Sequence, residues 1–217
     1  MKKERYLITQ SLLAAWSYIF DCAEGSEAEA SEAFLKTLKK EPSDQSEAML
    51  RGISFENAVF ATQCGNKEAA EYHASEWSKR GCEEEEAACV RKMAKRLQGG
   101  AYQLTEYKEK EISGITFLLM AKCDWVRAGV IYDCKRVETY ANVGKYYSSV
   151  QHPMYLEVIE SASEFRYEIC DGKDIYEERY TREDIPQPID SVIAEFVEYL
   201  KAENLMDTYK TYWKSLY

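Results

Sequence analysis

The chain has 217 residues and a formal net charge of −10, from 28 lysines and arginines against 38 aspartates and glutamates. This acidity argues against a protein that coats nucleic acid with a wholly basic surface, although it is compatible with a local basic groove. No apolar run reaches the length of about 18 residues that a membrane span requires, so we expect no membrane insertion. Seven cysteines without a regular spacing favour reduced thiols and a cytoplasmic protein.

The first hundred residues are predicted to be mainly helical. Apolar residues recur with helical spacing in five segments, whereas residues 22–31, rich in alanine, glutamate and serine, are predicted as a loop. Thr9 or Ser11 is the expected N-cap of the first helix. The run of four glutamates at 83–86 is typical of a solvated helix start. The predicted helices cover residues 11–20, 31–40, 43–65, 67–80 and 83–97.

Beyond the double glycine at 99–100 the pattern changes to that of a sheet. Apolar and β-branched residues alternate or cluster in five short segments. The tripeptide 127–129, Arg-Ala-Gly, has the composition of a hairpin turn between the second and third of them. A helix is expected over residues 145–161, although Pro153 lies inside it. The predicted strands cover residues 102–112, 115–126, 130–137, 165–170 and 175–181.

This order of elements predicts an α/β fold with a small mixed central sheet flanked by helices. We expect a single domain over residues 1–217. Residues 1–100 would form its mainly helical part, residues 101–182 the sheet core, and residues 189–217 one or two closing helices.

The most informative residues lie on the predicted hairpin. Asp124 and Asp133 are nine positions apart on its two arms, which in a sheet lie about 4.8 Å apart. They would therefore converge on one ion if their register and faces agree. Asp133 and Lys135 project from the same face of their strand, whose other residues are mostly apolar. Because burying unpaired charge is costly, a divalent cation such as Mg²⁺ or Mn²⁺ would compensate the two acids.

Simpler interpretations of the polar residues also stay open. Asp133 and Lys135 would be unremarkable on a solvated sheet edge, where they could pair with Arg127 or Glu138. His152 is typical of a packing or surface histidine. Two cations four positions apart on one helix face, at 92 and 96, are either a track for phosphates or an ordinary charged surface.

In chain order these residues resemble the motifs of the PD-(D/E)XK nuclease superfamily, and within it the RecB-like and phage-type exonuclease branch. An acidic residue in the helical segment 52–56 is followed by an aspartate at the end of one strand and a D-x-K triplet on the next. A Q-x-x-x-Y helix motif at 151–155, preceded by a Lys-Tyr pair at 145–146, completes the match. The motifs extend over about half of the chain. The matching residues are Glu56, Asp124, Asp133, Lys135, Gln151 and Tyr155.

The resemblance implies a restriction-endonuclease-like core and a role for each matching side chain. Lys135 would position or help deprotonate the attacking water and stabilise charge on the phosphate. Gln151 and Tyr155, one helical turn apart, would orient the site or contact the DNA backbone. The implied ligands of one or two Mg²⁺ or Mn²⁺ ions are Glu56, Asp124, Asp133 and the backbone carbonyl of Cys134.

The implied activity is metal-dependent hydrolysis of DNA phosphodiester bonds by an exonuclease of phage or prophage recombination or repair. The implied partners are DNA, as duplex ends or single strands, a single-strand annealing protein and further copies of the chain in a homo-oligomer. The iron–sulfur cluster of some relatives is not expected, because only Cys170 follows Tyr155. Two residues depart from the family pattern: Ala121 stands where many relatives have glycine, three positions before Asp124, and Pro153 interrupts the Q-x-x-x-Y helix.

Two other functions stay open. A nuclease fold that has lost cleavage would act as a DNA-binding or assembly module, although a decayed site would usually lack one of the four residues Glu56, Asp124, Asp133 and Lys135. The third is an unrelated α/β interaction domain in which the motif match is accidental.

Overall fold

A computed structural model describes residues 4–215 and shows an α/β fold with a mixed sheet flanked by helices. Within this range there are six strands, eight α-helices and one short 3₁₀ helix, Arg182–Asp184. The strands are β1 (Arg5–Thr9), β2 (Ala101–Ile112), β3 (Ile115–Arg127), β4 (Val130–Arg136), β5 (Glu164–Cys170) and β6 (Ile175–Thr181). The helices are α1 (Gln10–Asp21), α2 (Glu27–Leu38), α3 (Glu47–Gln63), α4 (Ala69–Trp77), α5 (Glu83–Arg96), α6 (Gln151–Val158), α7 (Ile189–Ala202) and α8 (Met206–Tyr212).

Strand β3 lies within the sheet, and one of its two edges is only partly paired with other strands. β2 pairs antiparallel with it from residue 115 to residue 126, so β1 and β4 must share the opposite edge. There β1 pairs in parallel with residues 116–120 and β4 antiparallel with residues 125–127. Residues 121–124 therefore have no neighbour on that edge among the described strands. Beyond β4 the sheet continues through β5, which is parallel to β4, to β6, which is antiparallel to β5.

Helices cover both faces of the sheet. Ile131 and Tyr132 are adjacent on β4 and so point to opposite faces, and each belongs to a different apolar core. The core around Ile131 is completed by α1, α2, α6, α7 and α8, and the core around Tyr132 by α3, α4 and α5. Each fully buried large apolar side chain contributes about 1.5–3 kcal/mol relative to exposure, so the β3–β4 hairpin is held from both sides.

The N-terminal region contains a strand that the sequence pattern does not predict. Residues Arg5–Thr9 form β1, with the burial alternating along part of its length. Five residues are too few for a reliable period-two pattern, and their extended state depends on pairing with the distant β3. The helix that follows begins as predicted, because the Thr9 hydroxyl accepts a hydrogen bond from the Leu12 N–H at 3.2 Å.

Helix α2 begins at Glu27, so the loop predicted for residues 22–31 is wrong over its second half. Two glutamates in the first turn stabilise this helix by interacting with the positive end of its dipole, and Ala30 is buried against the core. The remaining helices of this region occur where they are predicted, with ends that differ by a few residues.

The helix predicted over residues 145–161 is shorter than expected and begins at Gln151. Residues 143–148 form turns instead. Pro153 is consequently the third residue of α6, where a backbone N–H has no partner within the helix, so the proline is tolerated.

The prediction that the glutamate run is solvated is wrong for Glu86, which is buried. Its carboxylate lies 2.6 Å from Arg136 Nη2 and 3.1 Å from His73 Nε2. Since Arg136 belongs to β4 and His73 to α4, Glu86 joins α5 to both elements.

The closing segment forms the two helices α7 and α8, as predicted, and its final residues 216–217 lie outside the described range. Across residues 4–215, none of the helices combines the length and the apolarity that crossing a bilayer requires.

Candidate active site

Asp124 and Asp133 come together where β3 and β4 separate. The ladder between the two strands runs from Arg127–Val130 to Trp125–Tyr132, and the next step of the same register would place Asp124 opposite Asp133. The backbone pairing stops there. Instead, the Cys134 N–H donates a hydrogen bond to Asp124 Oδ2 at 2.9 Å. The side chain of Asp124 thus replaces a backbone partner and holds the two acids at the gap in the edge of β3.

Negative charge is concentrated at this point. Burial raises the pKa of Asp124 well above its usual range, and the charges of Asp133 and Glu56 raise it further. The Cys134 N–H and the Lys135 ammonium act in the opposite direction without cancelling these effects. A bound cation would relieve the repulsion between the carboxylates, because it offsets the charge that burial and the neighbouring acids make unfavourable.

Lys135 is paired with Asp133 on the same strand. Its Nζ lies 2.7 Å from Asp133 Oδ2, and Asp133 is only 4% exposed. Burial alone would lower the pKa of Lys135, but the adjacent carboxylate outweighs it and holds that pKa above its usual value. Lys135 is therefore an ammonium ion across the physiological pH range.

The solvated-edge interpretation of Asp133 and Lys135 does not agree with these contacts. Asp133 is buried, and Lys135 pairs with it. Glu138 is engaged instead by Arg51 and Lys79. Arg127 donates to the Gln98 carbonyl at 2.7 Å and to the Tyr132 hydroxyl at 3.2 Å.

Glu56 reaches the neighbourhood of the two aspartates from α3. The preceding residue, Phe55, is fully buried in the core beneath α3–α5 and fixes the orientation of the helix. Glu56 Oε1 accepts a hydrogen bond from Gln103 Nε2 at 3.4 Å. Gln103, at φ +52°, interrupts the pairing of β2 with β3 opposite Asp124.

The three predicted acidic ligands do not form a closed coordination site. In the part of the chain from residue 4 to 215, no three His, Cys, Asp or Glu side chains are grouped as metal ligands. Asp124 and Asp133 nevertheless offer hard carboxylate oxygens of the kind that Mg²⁺ and Mn²⁺ prefer. Asp133 Oδ2 is buried and, apart from the ion pair with Lys135, has no hydrogen bond of good geometry. The donors of Asp124 and Asp133 fit a divalent cation, whereas Glu56 is hydrogen-bonded to Gln103.

Gln151 and Tyr155, both on α6, contact the strands that carry the acids. Gln151 Nε2 donates to Asp133 Oδ1 at 2.5 Å. The Tyr155 hydroxyl donates to the Lys122 carbonyl at 2.9 Å, within the part of β3 that has no neighbour on the edge shared by β1 and β4. Both polar groups are buried and internally bonded, so they hold α6 against the strands that carry the acids.

His152 and Arg96 both contact other side chains of the protein. His152 is fully buried and stacks on Tyr180 with 4.4 Å between ring centroids, and burial lowers the pKa of His152 to about 4. Arg96, one of the cations of the predicted phosphate track, lies 2.8 Å from the buried carboxylate of Glu168.

The sequence did not single out Tyr167 and Glu178, which lie in line with Asp133 across the sheet. The register pairs Asp133 with Tyr167 of β5, and Tyr167 with Glu178 of β6. The only sequence signal for them is the alternation within β5 and β6, which places both on the face of Asp133 once the strand pairing is known.

Comparison with known proteins adds little to this description. No protein-family model matches the chain, and no curated protein is detectably similar to it. Among solved structures, the protein SSO0001 is similar with 14% sequence identity and a TM-score of 0.48, over 93% of this chain and 78% of its own. A likeness of this degree assigns neither a family nor an activity.

Proposed function

We propose that this protein is a metal-dependent deoxyribonuclease that hydrolyses DNA phosphodiester bonds. The observation that carries the proposal is the juxtaposition of Asp124 and Asp133 at the opening of the β3–β4 hairpin, with the Lys135 ammonium 2.7 Å from Asp133. Two mutually repelling carboxylates and a lysine at one point of a sheet edge are suited to binding a divalent cation beside a phosphate.

Each residue of the site has a role in this chemistry. Asp124 and Asp133 would hold Mg²⁺ or Mn²⁺, together with Glu56 and the carbonyl of Cys134. The ion, when bound, would polarise the phosphate and lower the pKa of a coordinated water. Lys135 would hold the attacking water and stabilise the negative charge that develops on the phosphate oxygens.

The neighbouring groups preorganise these residues. Gln151 fixes the orientation of the Asp133 carboxylate through its amide, and the Tyr155 hydroxyl attaches α6 to β3. Such hydrogen bonds to the ligand residues and their strands would keep the ligands in place before substrate binds. Less reorganisation would then be needed during the reaction.

A narrower form of the proposal is an exonuclease of phage or prophage recombination or repair. This form rests on the motif resemblance. The enzyme would be cytoplasmic and would act on duplex ends or single strands. Its partners would be a single-strand annealing protein and further copies of the chain in a homo-oligomer. The restriction-endonuclease-like character of the core belongs to the same proposal.

The activity can be tested on end-labelled linear and on circular duplex DNA with Mg²⁺, Mn²⁺ or EDTA. We expect degradation that EDTA abolishes, that requires ends, and that Asp133→Asn removes. Asp44→Asn, at an exposed position before α3, is the matched control and should leave the rate unchanged. Cleavage of circular DNA would assign an endonuclease instead.

Two other outcomes would overturn the enzymatic proposal. DNA binding without EDTA-sensitive cleavage under any condition would favour the inactive DNA-binding module. Absence of both binding and cleavage would favour an unrelated interaction domain.

A further inference from the structure

Glu178 on β6 is the acceptor of five hydrogen bonds, although it is 5% exposed. Three donors are backbone N–H groups, those of residues 144, 145 and 146, at 3.0–3.1 Å. The other two are the hydroxyls of Tyr140 and Tyr180, each at 2.5 Å. Oε1 accepts three of these bonds and Oε2 accepts two. Hydrogen bonds to an ionised acceptor are roughly twice as strong as neutral ones, so Glu178 is a strong anchor.

The anchored segment is the connection between β4 and α6. Residues 137–150 form neither helix nor strand, so the backbone N–H groups of 144–146 have no helix or strand partners and are satisfied by the Glu178 carboxylate. The sequence pattern predicts a helix that begins at residue 145. The bonds to Glu178 explain why the helix begins only at Gln151. The carboxylate satisfies these N–H groups without the helix that would otherwise have paired them.

This anchor lies in line with the candidate active site. Asp133, Tyr167 and Glu178 are register partners on β4, β5 and β6 and lie on one face of the sheet. Two strand spacings place Glu178 about 10 Å from Asp133. The Tyr146 ring stacks on Tyr167 with 4.5 Å between centroids, so the anchored segment covers the sheet beside Asp133.

Lys145 is presented at this place without a carboxylate partner. Its side chain is exposed, and its Nζ lies 5.6 Å from the centroid of the Tyr146 ring. Lys135, by comparison, is paired with Asp133. Within residues 4–215 no acidic group lies within ion-pair distance of Lys145, so its ammonium is free to bind an anion.

We propose that Glu178 is a positioning residue that fixes the segment 144–146 so that Lys145 contacts a DNA backbone phosphate beside the acid pair. The inference rests on the proposed function, since it assumes that DNA is bound at this face. Lys145 makes the contact, and Glu178 acts only through it.

Glu178→Gln tests this role with a change of few atoms. The amide offers a single acceptor oxygen, and its NH₂ faces donors, so either two or three of the five hydrogen bonds are lost. Glu177→Gln is the matched control, because Glu177 is the preceding residue on the opposite face of β6, paired with Arg166 and Arg179. Amide hydrogen exchange should increase in residues 139–150 for Glu178→Gln and stay unchanged there for Glu177→Gln.

DNA binding in EDTA, measured by fluorescence anisotropy over a series of salt concentrations, shows whether the position of the segment matters. Lys145→Gln should weaken binding and reduce the slope of log K against log salt by about 0.9, the loss of one phosphate contact. Glu178→Gln should change the slope in the same direction. The double variant should bind no more weakly than Lys145→Gln alone, because both act on one contact.

The outcomes separate this inference from the proposed function. Increased exchange in Glu178→Gln with unchanged affinity and slope would show a purely structural role and overturn the inference. Additive effects of the two substitutions would show that Glu178 does not act through Lys145, which also overturns it. Absence of DNA binding by the unaltered protein would refute the proposed function, and the inference with it.

Glu178→Asp is the second variant in case Glu178→Gln does not fold. It keeps the charge but shortens the side chain by one methylene, so the five donors can no longer all be reached in their present positions. A loss of affinity that disappears in the Lys145→Gln background supports the inference. A loss that persists in that background overturns it.

Discussion

Asp133 and Lys135 project from one face of β4 and form an ion pair, with 2.7 Å between Oδ2 and Nζ. The carboxylate is buried, while the lysine side chain is about one third exposed. The pair therefore has a buried acidic end beside Asp124 and a basic end that is accessible to solvent. This polarity is the basis of the first prediction.

Lys135→Met should abolish most of the proposed nuclease activity while DNA binding in EDTA changes little. Loss of a preorganised cation next to the developing charge typically lowers kcat by about 10²–10³-fold. Single-turnover cleavage with saturating protein measures this effect. Lys67→Met, at an exposed lysine between α3 and α4, is the control and should cleave at the normal rate. Equal losses in the two variants would contradict the assignment of Lys135.

Asp124→Asn should stabilise the metal-free protein and inactivate it. Burial and the charges of Asp133 and Glu56 raise the pKa of Asp124. A raised carboxyl pKa means that the folded state binds a proton more readily than the unfolded state, so ionised Asp124 lowers stability above its unfolded pKa. Removing the charge should raise Tm by about 2–4 °C, which corresponds to about 1 kcal/mol for a chain of this size.

With bound metal, the unaltered protein should become more stable than Asp124→Asn. Mg²⁺ or Mn²⁺ should raise the Tm of the unaltered protein, because a ligand that binds only the folded state stabilises it. The shift should be much smaller for Asp124→Asn. Differential scanning calorimetry at pH 7, with and without metal, measures both effects. Equal metal-induced shifts in the two proteins would show that Asp124 is not a ligand.

Gln151→Ala should impair catalysis more than Tyr155→Phe does. Without the amide, Asp133 Oδ1 loses its hydrogen bond, and loss of such a supporting contact typically costs about 10–100-fold in activity or metal affinity. Tyr155→Phe removes one hydrogen bond to the Lys122 carbonyl and should cost about 1 kcal/mol of stability. Metal titrations of the cleavage rate, together with urea unfolding, distinguish the two effects. The reverse order of rates would contradict the proposed roles.

Glu86→Gln should destabilise the protein without a direct effect on the active site. Burial opposes ionisation, but His73 and Arg136 outweigh it and hold the pKa of Glu86 at about 2. A lowered carboxyl pKa gives stability that is present above the unfolded pKa and lost as pH falls through about 2. At pH 7 the substitution leaves the buried Arg136 without its carboxylate partner and should cost about 3–5 kcal/mol in urea unfolding.

The pH profile of stability provides the check on Glu86. The difference in unfolding free energy between the unaltered protein and Glu86→Gln should shrink as pH falls below about 4.5, near the unfolded pKa. Glu85→Gln, at the exposed preceding position, should match the unaltered protein throughout. A difference that does not depend on pH would show that packing, and not charge, explains the loss.

The sequence alone determined the features that depend on local pattern. The β3–β4 hairpin follows from two apolar runs around an Ala-Gly turn, where Ala128 and Gly129 both have positive φ. Because the side chains of a strand alternate, Asp133 and Lys135 had to share a face. The nine-residue separation of Asp124 and Asp133 allows them to converge only in one register, and the structure supplies that register with a ladder that ends at Trp125–Tyr132.

Only the tertiary structure decided the features that depend on contacts between distant segments. β1 is a strand because β3 offers it an edge more than 100 residues away in sequence. Residues 144–146 are not helical because the Glu178 carboxylate accepts their N–H groups across more than 30 positions. Glu86 is buried because Arg136 compensates its charge and His73 hydrogen-bonds its carboxylate. In each case the stabilising partner is remote in the chain, so the local periodicity of the sequence cannot predict it.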